Sequence, residues 1–374
     1  MQIGIPRETR SGETRVAATP ETVKKLAASG QHRIVVESGA GIGSSVPDAD
    51  YVAAGATIGT AAEALGADLV LKVRAPDAGE LAQMKHGASL IGLVDPFDAA
   101  GVQTLAGAGV TAFALEWLPR ISRAQSMDVL SSQANIAGYK AVVMAASEYG
   151  RFMPMLMTAA GTVKAARVLI LGVGVAGLQA IATAKRLGAV IEASDVRPSV
   201  KDQVESLGGK WVDVPYETDE EKQIAEGVGG YARPMPPAWM ARQGSIIAER
   251  CKVVDILITT ALIPGRPAPK LVKAETVAQM KPGAVIVDLA VEQGGNVEGS
   301  VAGQVVEKNG VKIVGRTNLP ALVAADASAL YARNVLNFLA LSLNLKTGEF
   351  ALARDDEIVK ATLLCDNGAV VPRG

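Results

Sequence analysis

A glycine-rich turn between an apolar strand and a helix constrains the fold of this 374-residue chain more than any other feature. Arg167 to Leu171 reads as a strand, and the turn that follows is Gly172-Val-Gly174-Val-Ala-Gly177. In a βαβ unit the first glycine allows a tight turn, the second lets a pyrophosphate approach the backbone, and the third lets the helix pack closely. The helix N-terminus offers free N–H groups to an anion. The segment therefore predicts a dinucleotide-binding fold.

An acidic residue ends the second strand of the same unit. Asp195 lies 18 residues after Gly177, where a carboxylate can accept both adenosine ribose hydroxyls and would repel a 2′-phosphate. This favours NAD over NADP. Arg197 would attract such a phosphate, but we give the carboxylate more weight. A purely structural glycine turn is the alternative, and the complete order of strand, helix, strand and acid argues against it.

Short apolar runs alternate with amphipathic stretches along nearly the whole chain. This rhythm favours parallel sheets with right-handed crossovers. We therefore predict an α/β protein with two Rossmann-like, doubly wound parallel-sheet domains around a cleft. Long helices predicted over about 126–149 and 327–343 flank the glycine-rich block. The first domain is thus expected to be discontinuous, residues 1–125 plus 327–374, and the NAD(H)-binding domain to span 126–326.

The composition excludes several functional classes. Lys plus Arg is 37 and Asp plus Glu is 38, which argues against a nucleic-acid-binding protein. Two distant cysteines exclude a disulfide scaffold and a cysteine-rich zinc site, and we expect no metal. The N-terminus lacks the pattern of a signal peptide, and the longest apolar run, 168–184, is too short and too broken to span a bilayer. His32 and His86 lie in loop contexts and are interpreted as surface residues.

Polar side chains are dense between residues 120 and 132. This stretch holds two arginines, an amide, a carboxylate and four hydroxyls, including Arg120, Gln125, Asp128 and Ser131. Such density at a helix entrance suits recognition of an amide or a ribose. A carboxylate near the first turn of a helix also has a purely structural role, so both interpretations of Asp128 stay open.

Three further groups have open interpretations. The segment from Gly227 to Gln243 mixes glycines, prolines and aromatics. It is either a lid with Tyr231 at its tip or an ordinary connecting loop. The composition slightly favours the connecting loop. The segment 259–265 ends a strand on the side where open α/β sheets bind ligands. Three cations near N-terminal strands either hold a carboxylate substrate or are solvated surface charges: Arg7, Arg15 and Lys72.

Long segments of the chain resemble the alanine dehydrogenase and transhydrogenase family. The opening IGIPRET…GETRVAATPETVKKL is similar to the N-terminus of that family. PRISRAQSMDVLSSQANIAGYKAV (119–142), TAAGTVKAARVLILGVGVAGLQAIATAKRLGA, TTALIPGRPAPKL and VIVDLAVEQGGN resemble, more specifically, the NAD(H)-binding subunit of proton-translocating NAD(P) transhydrogenase. The length of the chain is also similar to that of the NAD(H)-binding component in members of the family where a separate gene encodes it as its own polypeptide.

The resemblance implies which residues contact NAD(H). Arg120, Gln125 and Asp128 would form the catalytic group at the nicotinamide. The residues that would bind the cofactor are named in order from the pyrophosphate, the adenosine ribose and a mobile loop to the nicotinamide. They are Gly172, Gly174, Val175, Gly177, Asp195, Val196, Arg197, Gly230, Tyr231, Gln243, Leu262, Arg120, Gln125, Asp128 and Ser131.

The resemblance also implies an activity shared with partners. Hydride would pass from NADH to NADP+ bound on a partner subunit, in a Re/Si-specific reaction that is catalysed only in its presence. A separate membrane-spanning subunit would couple the transfer to proton translocation. The chain itself would be a cytoplasmic homodimer, peripheral on the inner face of the cell membrane.

A soluble NAD-dependent alanine dehydrogenase is the alternative function. Amino-acid oxidation releases protons and needs a positioned base. Alanine dehydrogenases carry a histidine after the strand corresponding to 89–93, but this chain reads Leu93-Val94-Asp95-Pro96 there, and only Asp95 would replace it. Transfer between two nicotinamide rings needs contact and exclusion of water but no acid or base at the reacting carbons. A non-catalytic NAD sensor is the third possibility.

Overall fold

The computed structural model describes residues 1–226 and 233–372. The chain divides into two units. Unit 1 consists of residues 1–133 and 320–374, and unit 2 consists of residues 134–319. Each unit has its own sheet and its own buried apolar core.

Strands and helices alternate through most of both units. The first elements are β1 Gln2–Ile5, α1 Pro20–Ala27, β2 Arg33–Glu37, α2 Asp48–Ala53, β3 Thr57–Gly59, α3 Ala61–Leu65, β4 Leu69–Arg74, α4 Ala78–Leu81, β5 Ser89–Leu93, α5 Ala99–Gly107, β6 Thr111–Ala114 and α6 Val129–Glu148. There follow β7 Leu156–Thr158, β8 Gly161–Val163, β9 Arg167–Leu171, α7 Val175–Arg186, β10 Val190–Ser194, α8 Lys201–Ser206, β11 Lys210–Trp211, α9 Asp219–Ala225, α10 Pro237–Cys251, β12 Ile256–Thr259, α11 Ala274–Ala278, β13 Val285–Asp288, β14 Val305–Lys308 and β15 Val311–Val314. The last are α12 Ala324–Leu339, α13 Glu357–Thr362, β16 Leu363–Asp366 and β17 Ala369–Val370. No helix within the described ranges is both long and apolar enough to traverse a bilayer.

The sheet of unit 1 has the strand order β3-β2-β1-β4-β5-β6-β16-β17. Its first six strands pair in parallel, and β16 is antiparallel to both neighbours. The central strands bury apolar side chains on both faces, as parallel strands covered by helices require. The order reverses between β1 and β4, which makes their carboxyl ends the topological switch point of this sheet.

The sheet of unit 2 repeats the same plan with the order β11-β10-β9-β12-β13-β15-β14. All pairs are parallel except that of the edge strand β14, and β7 and β8 form a separate hairpin. The switch point lies between β9 and β12. The two sheets confirm the predicted α/β class with doubly wound parallel sheets.

The division between the units falls inside α6, not at the expected boundary of residue 125. Near the start of α6, Gln133 accepts a hydrogen bond from Arg15 (2.8 Å) and donates one to the carbonyl of Ala327 (3.1 Å). Further along, Gly138 lies so close to Ala176 that a Cβ there would meet its carbonyl oxygen at 2.1 Å. The first turn of α6 therefore belongs to unit 1 and the remainder to unit 2. The second boundary lies at 320, before the expected residue 327.

Candidate functional site

The glycine-rich turn lies at the switch point of unit 2, between β9 and α7. Gly172 has a φ of 89°, and a Cβ on it would lie 2.7 Å from Oγ1 of Thr260. A Cβ on Gly177 would lie 2.0 Å from the carbonyl oxygen of Gly172, whereas one on Gly174 would meet no described atom within 4 Å. Two of the glycines thus permit a tight turn and close packing, and the third faces open space.

The N-terminus of α7 presents backbone donors beside that open space. Gly174 precedes the helix, and no side chain of the described chain caps it. The amide of Leu178 already donates to the carbonyl of Gly174, but the first N–H groups of a helix have no intrahelical acceptor. Together with the helix dipole they suit a phosphate-sized anion. The turn therefore fits the pyrophosphate of a dinucleotide.

Asp195 follows β10 and is 8% exposed. One carboxylate oxygen accepts from the backbone N–H of Val173 (2.7 Å) and from Nη2 of Arg197 (2.9 Å), and the other accepts from the backbone N–H and Nε of Arg197 (both 2.9 Å). The hydrogen bonds to Asp195 raise the pKa of Arg197 above its ordinary value. Four donors from the chain thus fill the four acceptor positions of the carboxylate, so a ribose hydroxyl has to displace one of them.

The loop after β12 is fastened to the glycine-rich turn. Thr260 donates from Oγ1 to the carbonyl of Gly172 (2.8 Å). The side chain of Asn296 accepts from the N–H of Ala261 (3.0 Å) and donates to its carbonyl (2.8 Å). These bonds fix the backbone beside Leu262, whose side chain is exposed.

Sequence reasoning missed Asn296 and Asp288, both fully buried. Asp288 ends β13 and accepts hydrogen bonds from the hydroxyl of Thr259 and from the N–H groups of Ala290, Asn296 and Val297. It therefore holds the segment that carries Asn296 against the loop after β12. The available signal was an acid at the end of a buried strand, followed eight residues later by a polar amide after two glycines.

Other predicted cofactor residues of unit 2 lie around α10 and after β10. Gln243 is buried on α10. The carbonyl of Val196 accepts from the hydroxyl of Tyr216 (2.8 Å), whose ring stacks on Trp239. Gly230 and Tyr231 lie outside the described residues.

The predicted nicotinamide group lies in unit 1, where a 3₁₀ turn, Ser122–Met127, precedes α6. Gln125 is exposed, and its side chain makes no hydrogen bond to a described residue. Asp128 accepts from the N–H (2.9 Å) and hydroxyl (2.6 Å) of Ser131, so it caps the N-terminus of α6. Arg120 is exposed before the turn. The structural role of Asp128 is thus present, and a recognition role of this turn remains a prediction.

Two of the three N-terminal cations whose role was left open are buried at the switch point of unit 1, so the alternative of a solvated surface charge is wrong for them. Arg15 is 2% and Lys72 1% exposed. Arg15 makes two hydrogen bonds of 2.7 Å to Glu13. Lys72 lies 2.7 Å from a carboxylate oxygen of Glu80 and 3.4 Å from one of Glu8. Burial of an ion is tolerable only with such partners, and we call these five residues the buried ion cluster.

The carboxyl groups of this region differ in the direction of their pKa shifts. Burial opposes ionisation of Glu13, but the hydrogen bonds and charge of Arg15, with the charge of Arg74, hold its pKa at about 2. Burial raises the pKa of Glu8 above its ordinary value against the opposing charge of Lys72. Arg7, by contrast, is an exposed cation near Glu37.

A second acidic pair, of which sequence reasoning recognised only Asp95, follows β5 and β6. Asp95 has a φ of 53°, and Glu116 accepts from its N–H (2.8 Å) and from that of Val94 (3.3 Å). Burial raises the pKa of Glu116 to about 7 despite these hydrogen bonds. The two histidines lie elsewhere: His86 is exposed, but both ring nitrogens of His32 are shielded from solvent, contrary to its interpretation as a surface residue.

Known proteins match this chain along its whole length. The family models for the alanine dehydrogenase/PNT N-terminal and C-terminal domains match residues 4–137 and 141–373. The first portion of the divided NAD(P) transhydrogenase subunit alpha of Rhodospirillum rubrum is 52% identical over 379 residues, covering 99% of this chain and 98% of the relative. The crystal structure of transhydrogenase from Sinorhizobium meliloti has a TM-score of 0.89 and 52% identity, covering 99% of this chain and 100% of that one.

Alanine dehydrogenases are more distant. The enzyme of Mycobacterium tuberculosis is 33% identical over 306 residues, which cover 80% of this chain and 75% of the relative. The order of similarity agrees with the sequence resemblance, in which the longest matching segments are of the transhydrogenase type. The structural match agrees with the fold described above. The chain therefore belongs to the alanine dehydrogenase/PNT family.

Proposed function

We propose that the chain is the NAD(H)-binding subunit of a proton-translocating NAD(P) transhydrogenase. The observation that carries this proposal is the site in unit 2, where an open glycine turn, an uncapped helix N-terminus and Asp195 lie at one switch point. The 52% identity to a transhydrogenase subunit across nearly the full length of both chains supports the choice of reaction.

In this proposal the residues of unit 2 hold the adenosine and pyrophosphate of NAD(H). Gly172, Gly174, Val175 and Gly177 line the pyrophosphate, and the helix N-terminus donates to it. Asp195 receives ribose hydroxyls, with Val196 and Arg197 beside it; because Arg197 is already paired with Asp195, it is less available to a 2′-phosphate. Further contacts come from Leu262, Gln243, Gly230 and Tyr231.

The proposed reaction requires the protein to orient the nicotinamide and to exclude water, and it requires no proton transfer. When bound, NADH would supply a hydride to an oxidised nicotinamide, with one C–H bond breaking as another forms, so no proton would be released at either carbon. We assign Arg120, Gln125, Asp128 and Ser131 to the nicotinamide end. The exposed amide of Gln125 is suited to meet the partner that brings NADP+, because transfer needs close contact and exclusion of water.

The alternative is an alanine dehydrogenase, and one observation favours it. Glu116, with a pKa of about 7 beside Asp95, is a group able to accept a proton near neutral pH. Against it, the chain has no histidine after β5. Arg15 and Lys72 are also engaged with buried carboxylates, which reduces their attraction for a substrate carboxylate.

The proposed assembly has two further subunits. One binds NADP(H), and one spans the membrane and couples hydride transfer to proton movement. The chain would form a homodimer and lie at the inner face of the cell membrane through these partners. The R. rubrum relative is named as one portion of an alpha subunit, which supports an assembly of several polypeptides.

The test mixes the purified chain with an NADP(H)-binding transhydrogenase subunit and follows reduction of a coloured NADP+ analogue by NADH. We expect NADH binding by the chain alone, transfer only with the partner, and no alanine-dependent reduction of NAD+. Alanine turnover by the chain alone would establish the dehydrogenase instead. NADH binding without transfer to any partner would favour an NAD sensor.

A variant at the proposed nicotinamide end makes this test specific. Gln125→Ala should slow transfer at least about tenfold, a loss of transition-state stabilisation of about 1.4 kcal/mol, and leave the Kd for NADH nearly unchanged. Gln103→Ala on α5, also an exposed glutamine of unit 1, is the matched control. Equal losses of transfer and of NADH binding in Gln125→Ala would remove the assigned role.

A further inference from the structure

Two asparagine side chains of α12 converge on one carbonyl oxygen of the turn that carries Gln125. Nδ2 of Asn334 donates to the carbonyl of Ser126 at 2.8 Å, and Nδ2 of Asn337 donates to the same oxygen at 3.0 Å. A carbonyl oxygen has two lone pairs, so these two amides saturate it. The peptide between Ser126 and Met127, one residue beyond Gln125, is thereby held from one side by a single helix.

Asn334 also holds the element on the other side of the turn. Its Oδ1 accepts from the hydroxyl of Ser132 at 2.7 Å, in the first turn of α6. The amide is only 9% exposed, and both of its ends are used. Asn334 therefore fixes the spacing between the carbonyl of Ser126 and the start of α6, with Asp128 between them.

Two side chains of the turn, Ala124 and Met127, are buried in the core of unit 1 and anchor it on either side of Gln125 and Ser126. Its backbone bonds include Ala124 N–H to the carbonyl of Ile121 (3.0 Å) and Asp128 N–H to that of Gln125 (3.3 Å), and 3₁₀ hydrogen bonds have poor geometry. The ion pair of Arg123 with Asp356 is largely exposed on the arginine side, which limits its contribution. Gln125 and Ser126 themselves are exposed, so the bonds from the two asparagines to the Ser126 carbonyl help to set the direction of the side-chain amide of Gln125.

We infer that Asn334 and Asn337 are positioning residues for hydride transfer, acting through the Ser126 carbonyl on Gln125. This inference rests on the proposed function, in which Gln125 meets the NADP(H)-bearing partner. Neither asparagine touches the cofactor in this scheme. Their removal should lower the transfer rate and spare NADH binding, because the residues of unit 2 hold the adenosine and pyrophosphate.

The experiment compares Asn337→Ala, Asn334→Ala with Asn337→Ala, and Asn334→Asp in the transfer assay with the partner subunit. Asn337→Ala should reduce transfer by about twofold, since Asn334 still holds the carbonyl. The double variant should lose about tenfold or more, because small displacements of positioning groups cost large factors in rate. The Kd for NADH should stay unchanged in both. Arg333→Gln, which removes an ion pair with Glu21 from the same helix, is the control for helix stability.

Asn334→Asp separates positioning from a general structural loss. The introduced carboxylate still accepts from Ser132 but faces the Ser126 carbonyl without a donor, whereas its protonated form donates again. Its transfer rate relative to that of the native chain should therefore rise as pH falls. Because protonation also relieves the cost of burying a charge, the Tm of the variant is measured at the same pH values, and a purely structural defect would make the rate follow the folded fraction.

The outcomes distinguish the inference from the function on which it rests. Absence of transfer by the native chain with the partner would overturn the proposed function and the inference with it. Native transfer combined with a double variant as fast as Arg333→Gln would overturn the inference alone. A double variant that loses NADH affinity as much as transfer rate would also overturn it.

Discussion

The two switch points of the molecule share one strand order and differ in what fills them. In unit 2 the carboxyl ends of β9 and β12 surround an open turn with free backbone N–H groups. In unit 1 the corresponding ends of β1 and β4 are occupied by the buried ion cluster. Equal topology thus provides equal positions, and the residues that follow the first strand decide whether a position can receive an anion.

The difference begins directly after the first strand of each sheet. Gly172 after β9 allows an immediate turn into α7. After β1 the chain continues through Pro6 and Arg7, and α1 begins only at Pro20. The intervening loop carries Glu8, Glu13 and Arg15 into the space that a helix N-terminus would otherwise face. In unit 1 a charged loop with internal salt bridges therefore occupies the position of a phosphate site.

The largest expected effect comes from removing a cation from the buried ion cluster of unit 1. Lys72→Met should lower the free energy of unfolding by about 3–5 kcal/mol, because it leaves the buried carboxylates of Glu8 and Glu80 without their cation. Urea denaturation measures it. Lys85→Met, which removes an exposed pair with Asp68, should change stability by less than about 1 kcal/mol. A small effect of Lys72→Met would show that the cluster relaxes by admitting water or protons.

The second prediction concerns the open glycine-rich turn of unit 2. Gly177→Ala forces a Cβ to within 2.0 Å of the Gly172 carbonyl, so it should cost about 1–3 kcal/mol of stability and disrupt the turn. Gly174→Ala meets no described atom within 4 Å and should leave stability nearly intact. In the proposed function both variants lose NADH affinity, measured by fluorescence titration. Full affinity in Gly174→Ala would mean that no phosphate approaches that backbone.

The smallest expected effect is a pH dependence of stability that comes from one carboxyl group of unit 1. The pKa of Glu116 is about 7 in the folded chain against an ordinary 4.5. Between these values the folded state keeps a proton that the unfolded state has released, so the stability contribution of this group falls as pH rises from 4.5 to 7. Thermal unfolding of the native chain and of Glu116→Gln should therefore show a Tm difference that shifts against the native chain over this range. A difference independent of pH would contradict the raised pKa.

Glu13 provides the internal contrast for that measurement. Its pKa of about 2 lies below the ordinary 4.5, so its contribution is complete above pH 4.5 and is lost as pH falls towards 2. The two carboxyls of unit 1 thus affect stability in separate pH ranges and with opposite directions of pKa shift.

The glycine-rich turn was predictable because its causes are local. A β-branched strand, three spaced glycines and an acid after the next strand define Gly172, Gly177 and Asp195 by position alone. The strand–helix rhythm likewise predicted both sheets, since periodicity reflects the burial of strands and the amphipathic character of helices. Binding by these residues is still a prediction.

The buried ion cluster was not predictable because its partners are distant in sequence. Lys72 is separated from Glu8 by two strands, three helices and their loops, and nothing local marks it as buried. Asn296, Asn334 and Asn337 are similar cases, because each acts on a backbone carbonyl that only the folded chain brings within reach. An amide in a sequence carries no sign of which carbonyl it meets.

In the proposed function, the contact between Arg197 and Asp195 competes with the adenosine ribose for the carboxylate of Asp195. A ribose that binds there would replace donors that the chain already supplies, so its affinity would reflect the difference between two sets of hydrogen bonds. Such internal competition would lower the affinity for the nucleotide and speed its dissociation. In the proposed function, where oxidised nucleotide must leave after every turnover, that restraint favours rapid reloading.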